Sequence, residues 1–122
     1  MKATELMIGD WIMADGVPAQ ILSLGSKGAT ITGGLDKACY YDNMQPIPLT
    51  PEILEKNGFV YADLPFEDFY EGYGLHIHGG NYADGHSNWY IICGINVSMN
   101  VTHVHELQQA LRLCGIDKEI VL

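Results

Sequence analysis

Leu49-Thr50-Pro51-Glu52-Ile53-Leu54-Glu55-Lys56-Asn57-Gly58 reads as one short helix with both of its ends written out. Thr50 is an N-cap, its hydroxyl placed to accept an orphan N–H of the first turn. Pro51 suits the first helical position, where no N–H is needed, and Glu52 favours the positive end of the helix dipole. Ile53 and Leu54 face inward, and Asn57-Gly58 supplies a left-handed exit. On either side of this helix the pattern is that of strands, so the stretch decides an α+β fold and sets the boundary between two modules, 1–49 and 50–122, near Leu49.

N-terminal to the helix, glycine turns separate short strand signals. Ile8-Gly9-Asp10-Trp11-Ile12-Met13 is a turn entering a strand, and Asp15-Gly16 is a tight hairpin turn. Ala19–Leu24 alternates, Gly25-Ser26-Lys27-Gly28 turns the chain again, and Ala29–Thr32 and Lys37–Tyr41 are further strands. Strands this short predict a small, strongly curved barrel or half-barrel of the SH3-like kind. Pro46-Ile47-Pro48-Leu49 is extended, since each proline fixes φ and restrains its predecessor.

C-terminal to the helix, Phe59–Ala62, Leu75–His78 and Trp89–Cys93 read as strands. Ile95–Val101 alternates Ile95, Val97, Met99 and Val101 inward against Asn96, Ser98 and Asn100 outward, the strongest strand pattern of the chain. Asp63–Gly74 is expected to be an aromatic and acidic loop and Gly79–Asn88 a polar one. Thr102 is expected to cap a final helix carrying Val104, Leu107, Leu111 and Cys114 on one stripe and ended by Gly115. Ile120-Val121-Leu122 closes as a short strand or an apolar tail. The expected arrangement is an antiparallel sheet packed with this C-terminal helix.

Between Lys56 and Arg112 there is no lysine or arginine, yet that stretch holds all five histidines and six of the fifteen carboxylates. With a formal charge of −9, the chain is a poor partner for nucleic acid and for anionic membranes, because phosphate affinity comes mainly from Lys and Arg. Acidic mimicry of DNA, which would block a DNA-binding protein, is an alternative, although the acids are scattered and not in rows. No secretory signal is read at the N-terminus, and no apolar run approaches the roughly 18 residues a span requires. The expected location is the cytoplasm.

Two neutral imidazoles on one strand face can hold a divalent metal. His76-Ile77-His78 puts a pair about 6.5–7 Å apart along the chain, and His86 or Asp84 from the next loop could complete the site. The bland alternative is a solvated strand face. His103-Val104-His105, read as a first helical turn, points its rings about 200° apart, which suits a structural role at the helix entry. Glu67, Asp68 and Glu71 lie among aromatics, a combination met in glycoside hydrolases, but 122 residues leave little room for the cleft such pairs need. Ser87 and Ser98 have no nucleophile-elbow context, and Gly33-Gly34 and Gly79-Gly80 are turn glycines without a phosphate-binding lysine. Cys39, Cys93 and Cys114 form no C-x-x-C and are read as buried free thiols.

The opening Met1-Lys2-Ala3-Thr4-Glu5-Leu6-Met7-Ile8-Gly9-Asp10-Trp11, the central Pro46–Phe59 and the later Val104-His105-Glu106-Leu107-Gln108-Gln109-Ala110-Leu111 together resemble a family of small uncharacterised proteins. That family is common in Bacteroides-type gut bacteria and in their phages and mobile elements. The resemblance implies a small accessory protein and no particular activity. His105 falls in the matching helix entry, whereas His76, His78 and His86 fall where members are expected to vary.

The reading favours a non-enzymatic interaction module without a cofactor. Its expected binding surface is Phe69, Tyr70, Tyr73, Tyr82 and Trp89, since aromatics with few charges typify interface cores. The partner is another protein, with self-association into a homo-oligomer left open. The alternative from another class is a metal-binding protein or metal-dependent hydrolase using His76, His78 and His86.

Overall fold

The computed structural model describes residues 1–33, 37–64, 67–81, 87–93 and 97–122. It is an α+β protein made mostly of strands, and it divides into two compact units, Met1–Ile47 with His103–His105, and Pro48–Thr102 with Glu106–Leu122.

The first unit is a curled antiparallel sheet, a half-barrel. Its strands are β1 (Trp11–Ala14), β2 (Val17–Leu24), β3 (Gly28–Ile31), β4 (Lys37–Tyr40) and β5 (Met44–Gln45), in the order β4-β3-β2-β1-β5. Asp15 and Gly16 join β1 to β2 with positive φ at both positions, 50° and 82°, the geometry a two-residue hairpin needs to match strand twist. A register shift between Ile21 and Ser23 bends β2 against β3. Alternation then buries Ile12, Ala14, Ala19, Ile21, Ala29 and Ile31 around one core with Leu6, Cys39, Tyr41 and Met44. Asp10 is fully buried, and its carboxylate accepts the Met7 N–H at 2.8 Å, which holds the turn entering β1.

The second unit is a meander, β10-β9-β8-β7-β6, from β6 (Val60–Leu64), β7 (Glu67–Gly72), β8 (Leu75–Asn81), β9 (Ser87–Cys93) and β10 (Val97–Asn100). Helix α1 (Pro51–Lys56) precedes it and α2 (Val104–Leu113) follows. The α1 ends are as the sequence predicts: the Thr50 hydroxyl accepts the Ile53 N–H at 3.3 Å, and Gly58 takes φ 90°. On β10, Ser98 and Asn100 are exposed and Met99 is half-buried, in keeping with the expected alternation. The tail forms no strand. It is held instead by Asn57, whose side chain accepts the Val121 N–H at 2.8 Å and donates to the Val121 and Ile53 carbonyls at 2.7 Å each.

Three expectations are corrected. Residues 79–81 and 87–88, expected in a polar loop, are strand residues that pair across β8 and β9. The described residues of Asp63–Gly74 are not a loop: they pair as the end of β6 and the whole of β7, with Val60 opposite Glu71 and Leu64 opposite Glu67. Tyr73 and Gly74, at φ 53° and 76°, then make the two-residue turn between Gly72 and Leu75. Thr102 does not cap the final helix, which starts at Val104. Its hydroxyl accepts the Trp89 N–H at 3.3 Å and lies 2.5 Å from Asn100 Oδ1 and 3.1 Å from Asn88 Oδ1, so it secures the end of the sheet.

Candidate functional site

Strand β8 alternates Leu75 and Ile77 inward with His76 and His78 outward. The register sets His76 between Glu71 on β7 and Ile92 on β9, and His78 beside Tyr90. Directly opposed residues of an antiparallel pair share a face, so Phe69, Glu71, His76, His78, Tyr90 and Ile92 stand together on the outer face. The His76 ring stacks on Phe69 at 4.2 Å between centroids and 21° between planes. His78 lies 5.2 Å from the same ring and stacks on Tyr90 at 5.4 Å and 13°. The outcome is a continuous ladder of four rings. It explains why Phe69 is only 7% exposed although it sits on the outward face: two imidazoles cover it.

The inner face carries Tyr70, Ile77, Trp89 and Ile91, all buried. Tyr70 and Trp89 meet edge-on at 5.9 Å. Burial and the nearby Glu55 and Glu52 carboxylates push the Tyr70 phenol above its usual 10.0. Gly79, opposite Trp89, has φ 116°, and a Cβ there would collide with the Asn88 carbonyl, so β8 and β9 approach as closely as they do only because this position is bare.

Of the five aromatics expected to form a surface, Phe69, Tyr70 and Trp89 are therefore buried. Tyr73 is exposed, but its hydroxyl donates to the Asn57 carbonyl at 2.8 Å and its ring meets Phe59 edge-on. Tyr82 lies outside the described residues. The exposed aromatic of the outer face is instead Tyr90, 39% exposed, with Val60 on the same face 67% exposed. The signal for Tyr90 was in the sequence: if Trp89 and Ile91 point inward, period-two alternation turns Tyr90 outward.

His76 and His78 do share a face, with ring centroids 6.1 Å apart. His86 lies outside the described residues, and among the described residues no three His, Cys, Asp or Glu side chains are grouped to hold a metal ion. The reading of His103 and His105 is corrected. Because the helix begins at Val104, His103 precedes it, and the two rings lie side by side at 5.9 Å and 14°. His105 is buried.

The first unit has a hollow of about 380 Å³ lined by Ser23, Lys27, Thr30, Cys39 and Tyr40, among others. Burial, then the Asp15 charge, raises the Cys39 thiol above its usual 9.0, so this hollow offers a poor nucleophile.

Sequence reasoning missed one pair altogether. Cys93 ends β9 and Cys114 follows α2, and their sulfurs stand 2.6 Å apart. Among the described residues no helix is long and apolar enough to cross a membrane. Compared with protein-family models, curated proteins and solved structures, the chain matches none.

Proposed function

We propose that this chain is a non-enzymatic binding module whose docking surface is the outer face of the second sheet, and that its occupant is a protein presenting arginine beside apolar side chains. The observation that carries the reading is the ring ladder His76–Phe69–His78–Tyr90, which ends in an exposed tyrosine on a face that also carries Glu71 on β7 and the exposed Val60 on the edge strand β6. Stacked rings are rigid, so little side-chain entropy is lost when a partner covers them. The segment that builds this sheet, residues 60–100, has five carboxylates and no lysine or arginine. An arginine stacked on the Tyr90 ring therefore meets no competing side-chain cation from this sheet, and the acidic segment draws it in.

A photocrosslinking residue at position 90 tests this directly. The expected product is one protein joined through an arginine-bearing peptide, lost when Glu71→Gln is added and weakened by salt. Crosslinking only to a second copy of the chain, or products indifferent to Glu71 and to salt, would overturn it.

A metal-binding reading is favoured by one observation, the shared face of His76 and His78. Elemental analysis of untagged protein and a Zn²⁺ titration followed on the histidine NMR signals decide it. One tight equivalent shifting both rings together supports it, and scattered weak shifts end it.

For the first unit we infer an SH3-like small barrel. The basis is the 3-10 turn Tyr41–Asn43 between β4 and β5, after which β5 returns to pair with β1. With the resemblance to accessory proteins of gut bacteria and their phages, the proposal is a cytoplasmic adaptor.

A further inference from the structure

We propose that Cys93 and Cys114 are a redox pair, which a small disulfide oxidises to an intramolecular disulfide joining the end of β9 to the end of α2. The pair is made by the fold. The two residues lie 21 positions apart in sequence, and their sulfurs are 2.6 Å apart. Regular structure fixes both partners. Cys93 is paired with Val97 across the β9–β10 ladder. The Cys114 N–H closes the last turn of the helix on the Ala110 carbonyl at 3.0 Å, and the next residue, Gly115, ends the helix at φ 73°. Both side chains are half-buried, so a small oxidant reaches them while water is partly excluded.

The order of attack follows from the direction of the contact, in which the Cys114 thiol donates to the Cys93 sulfur. Burial, the hydrogen bond to Cys93 and the Cys93 charge push the Cys114 thiol up to about 11. Cys114 therefore keeps its proton near neutrality and is the resolving thiol. The Cys93 thiolate attacks one sulfur of the external disulfide. A mixed disulfide forms on Cys93, and the first small thiolate leaves with the electron pair of the broken S–S bond. Cys114 then gives up its proton and attacks the Cys93 sulfur, displacing the second small thiolate. In total the two protein thiols lose two protons and two electrons, and the external disulfide becomes two thiols.

The test is incubation of the reduced full chain with oxidised glutathione. Intact mass should fall by two hydrogens, peptide mapping should place the crosslink between Cys93 and Cys114, and Cys39 should still be alkylated. Cys39→Ser should leave the crosslink unchanged, and Cys114→Ser should stop at a glutathione adduct on Cys93. A stable adduct on the native chain, a crosslink through Cys39, or no reaction at Cys93 would each overturn the proposal. Because the readout is on unsubstituted protein, failure of a variant to fold does not blur the result.

Discussion

His76 lies flat on Phe69, their ring centroids 4.2 Å apart, so an ionisable side chain roofs an apolar one on the outward face of a sheet. This relationship gives the histidine pair a packing role whether or not a metal or a partner also uses it. It also converts a strand with one wet face into one with hydrophobic contact on both sides.

Removing the roof should show. His76→Ala uncovers the Phe69 ring and is expected to cost about 1 kcal/mol, while Phe69→Ala, which removes the ring itself, is expected to cost about 3 kcal/mol. Urea denaturation of the two variants measures both. Equal, negligible costs would mean that the stack contributes nothing.

Trp89 and Tyr90 are neighbours with opposite fates. Trp89 is 3% exposed, and Trp89→Ala should destabilise by about 3–5 kcal/mol. Tyr90→Ala should stay within about 1 kcal/mol. Among the described residues the buried Trp89 indole N–H finds no hydrogen-bond partner, so Trp89→Phe should cost less than removal of a bonded indole would. Thermal melts of the three variants rank them.

Asn57 should behave as a structural polar residue. Asn57→Ala leaves the Val121 N–H and carbonyl without their partner, and a loss of about 1–3 kcal/mol is expected. Amide exchange at Val121 should quicken in step. An unchanged Val121 protection factor would show that the tail is held by other contacts.

The Cys114 thiol sets a pH dependence. Its pKa rises from the usual 9.0 to about 11 on folding, first because burial disfavours the thiolate. Between these values the unfolded chain has lost the proton that the folded chain keeps, so the unfolded state binds fewer protons and stability falls as pH rises. Below pH 9 both states hold the proton and this contribution is flat. A denaturation series from pH 8 to pH 11 should show the decline, and Cys114→Ser should reduce it.

Oxidation should stabilise. A crosslink closing a 21-residue separation restricts the unfolded chain by about 3 kcal/mol in the chain-entropy picture. The oxidised protein should melt above the reduced one, and a reductant should restore the lower transition.

The sequence carried the local features well. Thr50, Pro51 and Gly58 mark the ends of α1 because caps and left-handed exits depend on residues within one helical turn. Asp15-Gly16 marks a hairpin for the same reason. It hid β7, because Phe69 and Tyr70 are adjacent and both buried, one under imidazoles and one in the core, and this double cover erases the period-two pattern. For the same reason three of the five residues of the expected binding surface, Phe69, Tyr70 and Trp89, are ones the fold buries. The Cys93–Cys114 pair was out of reach altogether, since no local spacing encodes a meeting between the end of a strand and the end of a helix.

The bond from Asn57 to Val121 has a consequence for the order in which the molecule is made. The five strands of the first sheet are complete in sequence by Gln45, so that sheet can fold while most of the chain is still being synthesised. The carboxamide at the end of α1 finds its partner only after translation has passed residue 121. A ribosome-stalled chain lacking the tail should carry a settled first sheet and a second one whose opening helix is still unfastened.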